Sequence, residues 1–128
     1  MKQAFTMIEL IFVIVILGIL AAVAIPRLAA TRDDAEIVKT MNNITTSLSD
    51  LMAYYTSQAH YTSSIATMTN VTNPIKIRND VCATYEIVDE KQIILTKGYD
   101  GLCKKVWAMS GLSSLEDMYS SDALIIVQ

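Results

Sequence analysis

The feature that most constrains the fold of this chain is an apolar run near its N-terminus, from Phe5 to Ile25. As an α-helix this run is ~31 Å long at ~1.5 Å per residue, which matches the hydrocarbon thickness of a bilayer. It contains one charged residue, Glu9. A carboxylate in a membrane helix costs ~2.5–3.5 kcal/mol at the bilayer centre and less near an interface, so Glu9 indicates a function and requires a partner.

The residues around Glu9 resemble the N-terminus of type IV pilins and of the pseudopilins of type II secretion. Those proteins carry a short basic leader, a prepilin-peptidase site before an aromatic residue, a Glu at the fifth mature position and a long apolar helix. Here Lys2 lies in the leader, cleavage is expected between Ala4 and Phe5, and Glu9 is then the fifth residue. The family usually has Gly before the cut, so Ala4 departs from its pattern.

The resemblance implies a role for each of these positions. Cleavage after Ala4 would expose the α-amino group of Phe5, which the family methylates. In a filament, the Glu9 carboxylate of one subunit would face the Phe5 ammonium of a neighbour, and each would neutralise a charge that is costly alone in an apolar bundle. Thr6 resembles the small polar residue that the family often carries beside the cut.

Gly18 and Pro26 match a second feature of the family, a stretch of helix that loosens in the filament. Pro26 lacks a backbone N–H and its ring crowds the carbonyl of Ala22, so the helix must bend or lose hydrogen bonds nearby. Gly18 adds backbone freedom. A static kink where the helix leaves the bilayer is the alternative, and the sequence leaves both open.

Two simpler hypotheses compete for the N-terminal segment. A secretory signal peptide fits poorly, because the apolar run is too long, although the small residues at 21–24 resemble a cleavage region. A plain single-pass anchor accounts for the length but leaves Glu9 unexplained. With either membrane hypothesis, Lys2 on the short side predicts that the bulk of the chain lies outside.

Beyond Pro26 the sequence becomes amphipathic. Apolar residues at steps of three and four predict a helix over about residues 33–58 whose stripe packs on a small sheet, with a coiled coil as the alternative. The charged run over residues 27–36 is interpreted either as a subunit contact or as a collar facing the lipid headgroups. The stripe consists of Ile37, Met41, Ile44, Leu48, Leu51 and Tyr55.

The C-terminal half predicts a connecting loop followed by a β region. Residues 59–80 are rich in Thr, Ser and Asn and contain the breaker Pro74, which favours a loop. In residues 81–128, two β-prone runs around a short polar turn predict a hairpin, and two further runs predict additional strands. The predicted strands are residues 82–88, 92–96, 102–109 and 124–127.

These patterns predict an α+β, pilin-like fold, in which a long N-terminal helix packs on a small antiparallel sheet. The expected domains are a leader peptide at residues 1–4, a transmembrane and assembly helix at 5–26, and a periplasmic head at 27–128. The head would then consist of the amphipathic helix, the loop and the β region.

Cys82 and Cys103 lie in the predicted head. An exported head would face an oxidising compartment, where a disulfide between them is expected, and closing this loop would stabilise the fold by roughly 3 kcal/mol. Two unpaired thiols are the alternative. The chain has no C-x-x-C motif, so a redox site is not expected.

No metal site or cofactor is predicted. His60 is the only histidine and is interpreted as a surface residue. Major pseudopilins hold calcium in a C-terminal loop, but the acidic residues in this part of the chain lack the spacing of a calcium-binding loop. These acidic residues are Asp100, Glu116, Asp117 and Asp122.

The sequence lacks the motifs of catalytic sites and the basic stripe of nucleic-acid-binding proteins, and its formal net charge is −3. It is therefore not expected to be an enzyme or to bind nucleic acid directly. The resemblance implies a structural subunit of a type IV pilus-like or type II secretion filament. Its expected partners are other copies of the chain, prepilin peptidase, an inner-membrane platform protein and an assembly ATPase.

The same resemblance places the chain in the bacterial inner membrane with its C-terminal domain in the periplasm, and later in a periplasmic or surface filament. The two cysteines favour a pilin, whereas the short chain favours a pseudopilin or a minor subunit, and the choice stays open. The alternative from another class is a single-pass, inner-membrane-anchored periplasmic binding protein that does not assemble.

Overall fold

The computed structural model describes residues 4–121 and 125–127. The chain divides into two compact units, with the boundary between Asp34 and Ala35. The elements are α1 (Met7–Gln58), α2 (Ile65–Met68), β1 (Ile75–Ile77), β2 (Asp80–Ile87), β3 (Ile93–Lys97), α3 (Cys103–Trp107), α4 (Ser110–Ser121) and β4 (Ile125–Val127). The predicted α+β architecture, a long N-terminal helix with a small sheet, is confirmed.

Helix α1 includes both Gly18 and Pro26 without interruption. It ends at Gln58, the predicted end of the amphipathic helix. The next residue, Ala59, adopts a left-handed φ of 60°, and its N–H donates to the Tyr55 carbonyl at 2.7 Å. This is the geometry with which helices commonly terminate, here without the usual glycine.

The sheet has the strand order β1-β2-β3-β4. Strands β1, β2 and β3 form an antiparallel meander, and the predicted hairpin is its β2–β3 half, in which Tyr85 lies opposite Leu95. Strand β4 pairs with β3 in parallel. A parallel pair needs a crossover connection, and helices α3 and α4 lie in the connection between these strands.

The predicted stripe of α1 forms one side of the core of the second unit. Ile37, Ile44, Leu48 and Leu51 are buried, and Met41 and Tyr55 are partly buried against the same core. The sheet supplies buried partners such as Ile93 and Leu95. Each large aliphatic side chain buried in this way contributes ~1.5–3 kcal/mol, so packing holds a segment whose residues are often weak helix formers.

Polar contacts between α1 and the rest of the second unit accompany this apolar packing. The buried hydroxyls of Ser47 and Tyr85 share a hydrogen bond of 2.7 Å. The Thr69 hydroxyl donates to Asp50 at 2.7 Å. Arg78, in the turn between β1 and β2, forms an ion pair of 2.9 Å with Glu36. The contacts of Ser47 and Thr69 favour this register of the helix on the sheet, because a shift along the stripe would leave the buried hydroxyls of Ser47, Tyr85 and Thr69 without partners.

The predicted strand over residues 102–109 is wrong, because this segment contains helix α3. Its buried residues are Cys103, Val106 and Trp107, at spacings of three and four. That is the period of a helix, but a segment of this length is too short for periodicity to distinguish a helix from a strand. Residues 81–128 are therefore not a continuous β region, and α4 adds a second helix to them.

The predicted loop over residues 59–80 is also partly wrong. It contains the short helix α2, strand β1 and the first residue of β2. In β1, Ile75 and Ile77 are buried while Lys76 between them is exposed. Three residues of alternation carry too little signal to identify an edge strand from the sequence. The final predicted strand, residues 124–127, matches β4 except that Leu124 lies outside the described residues.

Tyr61 provides a test of the core that depends on pH. It is buried beside Tyr55, with ring centroids 4.8 Å apart, and burial followed by the charge of Tyr55 raises the pKa of Tyr61 from 10.0 to about 12. The neutral phenol is thus favoured in the folded state. We expect the free energy of unfolding to be unaffected by Tyr61 below pH 10 and to fall as the pH rises from 10 through 12.

Urea unfolding of the full chain in detergent micelles, followed by circular dichroism across this pH range, tests the expectation. Tyr61→Phe should flatten the decline, whereas Tyr99→Phe, at an exposed position, should leave it unchanged. An equal slope for all three proteins would show that the pKa of Tyr61 is not raised in the folded state.

Candidate functional site

The N-terminal end of α1 brings together four of the residues singled out in the sequence. Ala4, Phe5 and Thr6 are exposed and non-helical, and α1 begins immediately after them at Met7. Phe5 is 89% exposed. The peptide bond between Ala4 and Phe5 therefore lies in an exposed, non-helical segment that directly precedes the helix.

Thr6 and Glu9 form a reciprocal cap on the first turn of α1. Glu9 Oε2 accepts hydrogen bonds from the Thr6 backbone N–H at 2.9 Å and from the Thr6 hydroxyl at 3.0 Å. The Glu9 N–H donates to Thr6 Oγ1 at 3.3 Å. This is a capping box, with Thr6 at the N-cap and Glu9 three residues later, and it satisfies backbone donors that the first helical turn would otherwise leave free.

The capping box gives Glu9 a partner within its own chain, which was not predicted from the sequence. The signal was present, because Thr6-Met7-Ile8-Glu9 has the T-x-x-E pattern that precedes an apolar helix. The same contacts hold the carboxylate against Thr6, the residue after Phe5, at the end of the helix where the macrodipole favours a negative charge. Oε2 accepts both of these hydrogen bonds, and an ionised carboxylate can accept further hydrogen bonds through both oxygens.

The rest of the first unit is an apolar helical surface that no other element of that unit covers. Apolar side chains are exposed on all sides of α1 over this range, from Met7 to Leu28. In the described part of the chain, one helix is long enough and apolar enough to cross a membrane, judged by length and composition. It is α1, near the N-terminus. Apart from the adjacent residues and the backbone of its own helix, no atom of the described residues lies within 4 Å of the position that a Cβ on Gly18 would occupy, so that site is open to a neighbouring surface.

The two cysteines lie in the second unit, where a disulfide joins them. Cys82 is in β2 and Cys103 opens α3, with their Cα atoms 5.0 Å apart. Both are fully buried. The indole N–H of Trp107 donates to the Cys82 carbonyl at 2.9 Å, and Gly98 donates to the same oxygen at 2.8 Å. A Cβ at Gly98, the residue after β3, would collide with the Val81 carbonyl, so the close approach of the chain to β2 at this point requires glycine.

The structure offers no metal centre among the residues it describes. Within residues 4–121 and 125–127, no group of three or more His, Cys, Asp or Glu side chains is placed to hold a metal ion. Asp122, one of the acidic residues considered for calcium, lies outside the described residues. His60 is exposed at the end of α1, where its Nδ1 lies 2.9 Å from the Gln58 carbonyl.

Comparison with known families identifies the N-terminal segment. Residues 1–25 match the family described as Prokaryotic N-terminal methylation motif, which is the signature of type IV pilins and pseudopilins. No curated protein and no solved structure matches the chain. The match covers the whole apolar segment up to Ile25, including Ala4, Phe5, Thr6, Glu9 and Gly18, and ends one residue before Pro26.

Proposed function

We propose, starting from the methylation motif at residues 1–25, that this chain is a structural subunit of a type IV pilus-like or type II secretion filament. In this proposal prepilin peptidase removes residues 1–4 and the new Phe5 amine is methylated. The precursor resides in the inner membrane with its head in the periplasm, and a platform protein and an ATPase drive its assembly. The motif and the long apolar helix α1 support the membrane-anchored precursor.

The observation that carries the proposal is the placement of Glu9 relative to the cleavage site. Removal of residues 1–4 leaves an ammonium group on Phe5, one residue before the cap formed by Thr6 and Glu9. In an apolar filament core, this cation requires a buried anion. Glu9 is the only charged residue in α1 before Arg27, so it is the anion that a neighbouring subunit can offer at that depth.

The proposed assembly surface is the apolar side of the first unit. Its exposed aliphatic side chains are suited to lipid before assembly and to other copies of the same helix afterwards. The open position at Gly18 permits close approach of a neighbouring helix. Pro26 has no backbone N–H, so α1 already lacks one hydrogen bond there and can loosen at this point. The choice between pilus and secretion filament stays open in this proposal.

A plain membrane anchor with a periplasmic binding domain is the second candidate, and the capping box favours it. Because Glu9 already caps its own helix, its presence does not by itself require a neighbouring subunit. The two functions differ in whether the charge of Glu9, rather than its hydrogen bonds to Thr6, is needed.

Mass spectrometry of the N-terminal peptide, from the native protein in a membrane fraction, tests the processing step. We expect a mature chain that begins at N-methylated Phe5. Ala4→Gly restores the residue that the family usually has before the cut, and this variant should be processed at least as completely. A native protein that retains Met1 or Lys2, beside a processed Ala4→Gly variant, would show that Ala4 is not accepted and would favour the plain anchor.

A further inference from the structure

A groove in the second unit lies between the end of β2 and the segment that connects α2 to β1. Its volume is about 730 Å³, and its walls come from residues 63–66, 69–73 and 85–87. Strand β1 pairs with β2 only as far as Ala83, so the last part of β2 extends beyond its neighbour on this side. The groove runs along that uncovered part of the strand.

The hydrogen-bond pattern of the hairpin shows which peptide groups of β2 face the groove. On the β3 side, Val88 donates to Gln92 and Gly98 donates to Cys82. In an antiparallel pair, successive residues direct their peptide N–H and C=O groups to opposite sides, so the even-numbered residues of β2 hydrogen-bond to β3. The N–H and C=O of Tyr85 and Ile87 therefore point the other way, toward the groove.

Tyr85 already has a partner on this side that imitates a strand. The side-chain amide of Asn73 donates to the Tyr85 carbonyl at 2.8 Å, and its oxygen accepts from the Tyr85 N–H at 2.9 Å. This is the pair of bonds that a neighbouring strand would make. At Ile87, two residues further on, neither peptide group is bonded to another residue in the part of the chain that the structure describes. This edge of β2 can therefore accept a further strand, and at Ile87 no strand of the described chain occupies it.

The charge of the groove indicates which strand would bind. Glu86 is exposed on the wall of the groove, and the residues that line the groove include no Lys or Arg. The carboxylate of Asp50 lies behind the wall, where it holds the Thr69 hydroxyl. Ile65 and Val71 add apolar surface opposite the strand. A cationic side chain next to Glu86 and an apolar one between the two walls would both be accommodated.

We propose that this groove binds an extended, cationic peptide segment of a partner protein by adding it as a strand to the free end of β2. The Ile87 N–H and C=O would form main-chain hydrogen bonds with the segment, and Glu86 would contact its Lys or Arg. A carbohydrate is the other ligand that a hydroxyl-rich groove suggests. Tyr85 is the one aromatic residue of the lining, and its ring is buried with its hydroxyl on Ser47, so the stacking surface that sugars use is missing from the lining.

The first test uses a peptide probe on the full-length chain in detergent micelles, with backbone amides followed by NMR. The probe is the N-acetylated, C-amidated pentapeptide Val-Lys-Val-Thr-Val, and the matched control carries Glu in place of Lys. We expect shifts centred on Ile87 and Glu86 with the Lys peptide, and at least about three-fold weaker binding of the Glu peptide. N-methylation of alternate peptide amides should abolish binding for one set and spare the other, because only one set faces β2.

Variants of the protein test the same contacts. Ile87→Pro removes the groove-facing N–H without removing a bond to β3, and binding should weaken about five-fold, whereas Ile87→Val should bind normally. Glu86→Gln should weaken binding about two- to five-fold, with Glu90→Gln at the hairpin tip as the matched control. Circular dichroism verifies that each variant is folded. If Ile87→Pro does not fold, the N-methylated peptides still test the main-chain bonds.

Equal binding of the Lys and Glu peptides, equal effects of the two N-methylated sets, or no binding at millimolar peptide would overturn the proposal. So would maltotriose causing the shifts at Ile87 while the peptide causes none. These measurements need no filament, so their failure would leave the proposed function unaffected, and failed N-terminal processing would leave the groove unaffected.

Discussion

We expect the Glu9→Gln variant to insert into the membrane and to be processed at Phe5, but to be lost from filaments. Glutamine can fill the same place in a capping box, so the hydrogen bond from the Thr6 N–H survives and α1 still begins at Met7. What the substitution removes is the negative charge. The Phe5 ammonium of a neighbouring subunit would then be buried without an anion.

Removing one partner of a buried ion pair costs about 3–5 kcal/mol, which corresponds to at least about a hundred-fold loss in association. The measurement is the ratio of filament to membrane-bound protein in sheared or solubilised fractions. Peptide mass spectrometry on the same samples verifies that processing is unchanged.

Thr6→Ala is the matched control, because it removes the hydroxyl of the cap and keeps the charge of Glu9. Loss of the Thr6 hydroxyl should destabilise the first turn of α1 by about 1 kcal/mol and leave assembly close to normal. The opposite result, a Glu9→Gln variant that assembles like the wild type beside a defective Thr6→Ala variant, would reduce Glu9 to a helix cap. The charge-pairing hypothesis would then be abandoned, and assembly would have to depend on the apolar helix surface alone.

The second large effect is expected at the disulfide. Replacing both Cys82 and Cys103 by Ala should lower the free energy of unfolding of the second unit by about 3 kcal/mol, because the bond closes a loop across a sequence separation of 21 residues. A domain of this size is stable by only about 5–15 kcal/mol in total, so the loss is substantial. The expected fall in Tm is roughly 12–24 °C.

Alanine is the suitable replacement, because both positions are fully buried and serine would add the cost of an unsatisfied hydroxyl. Trp107, the only tryptophan, donates to the Cys82 carbonyl, so its fluorescence reports on this corner during unfolding. Wild-type protein treated with a reductant should unfold at nearly the same temperature as the double variant. Thiol labelling of the native, unreduced protein, or a double variant as stable as the wild type, would contradict the expectation.

The parts of this protein that could be predicted from its sequence are those whose physical cause is local. The apolar run from Phe5 and its single acid are properties of consecutive residues, and they identify the long apolar helix and the methylation motif. The amphipathic stripe up to Tyr55 is likewise a repeated local pattern, and the structure buries or partly buries all of its members. The capping box at Thr6 was equally local and could have been predicted.

The tertiary structure decided the features that depend on distant partners. Cys103 opens a helix rather than a strand, because its segment buries one helical face beside β2. Strand β1 exists because Ile75 pairs with Ala83, and β4 lies parallel to β3 only after α3 and α4 have carried the chain back. The open end of β2 and the Asn73 amide that imitates a strand follow from the same pairing. Such contacts take their energy from residues far apart in the chain, so no short stretch of sequence contains them.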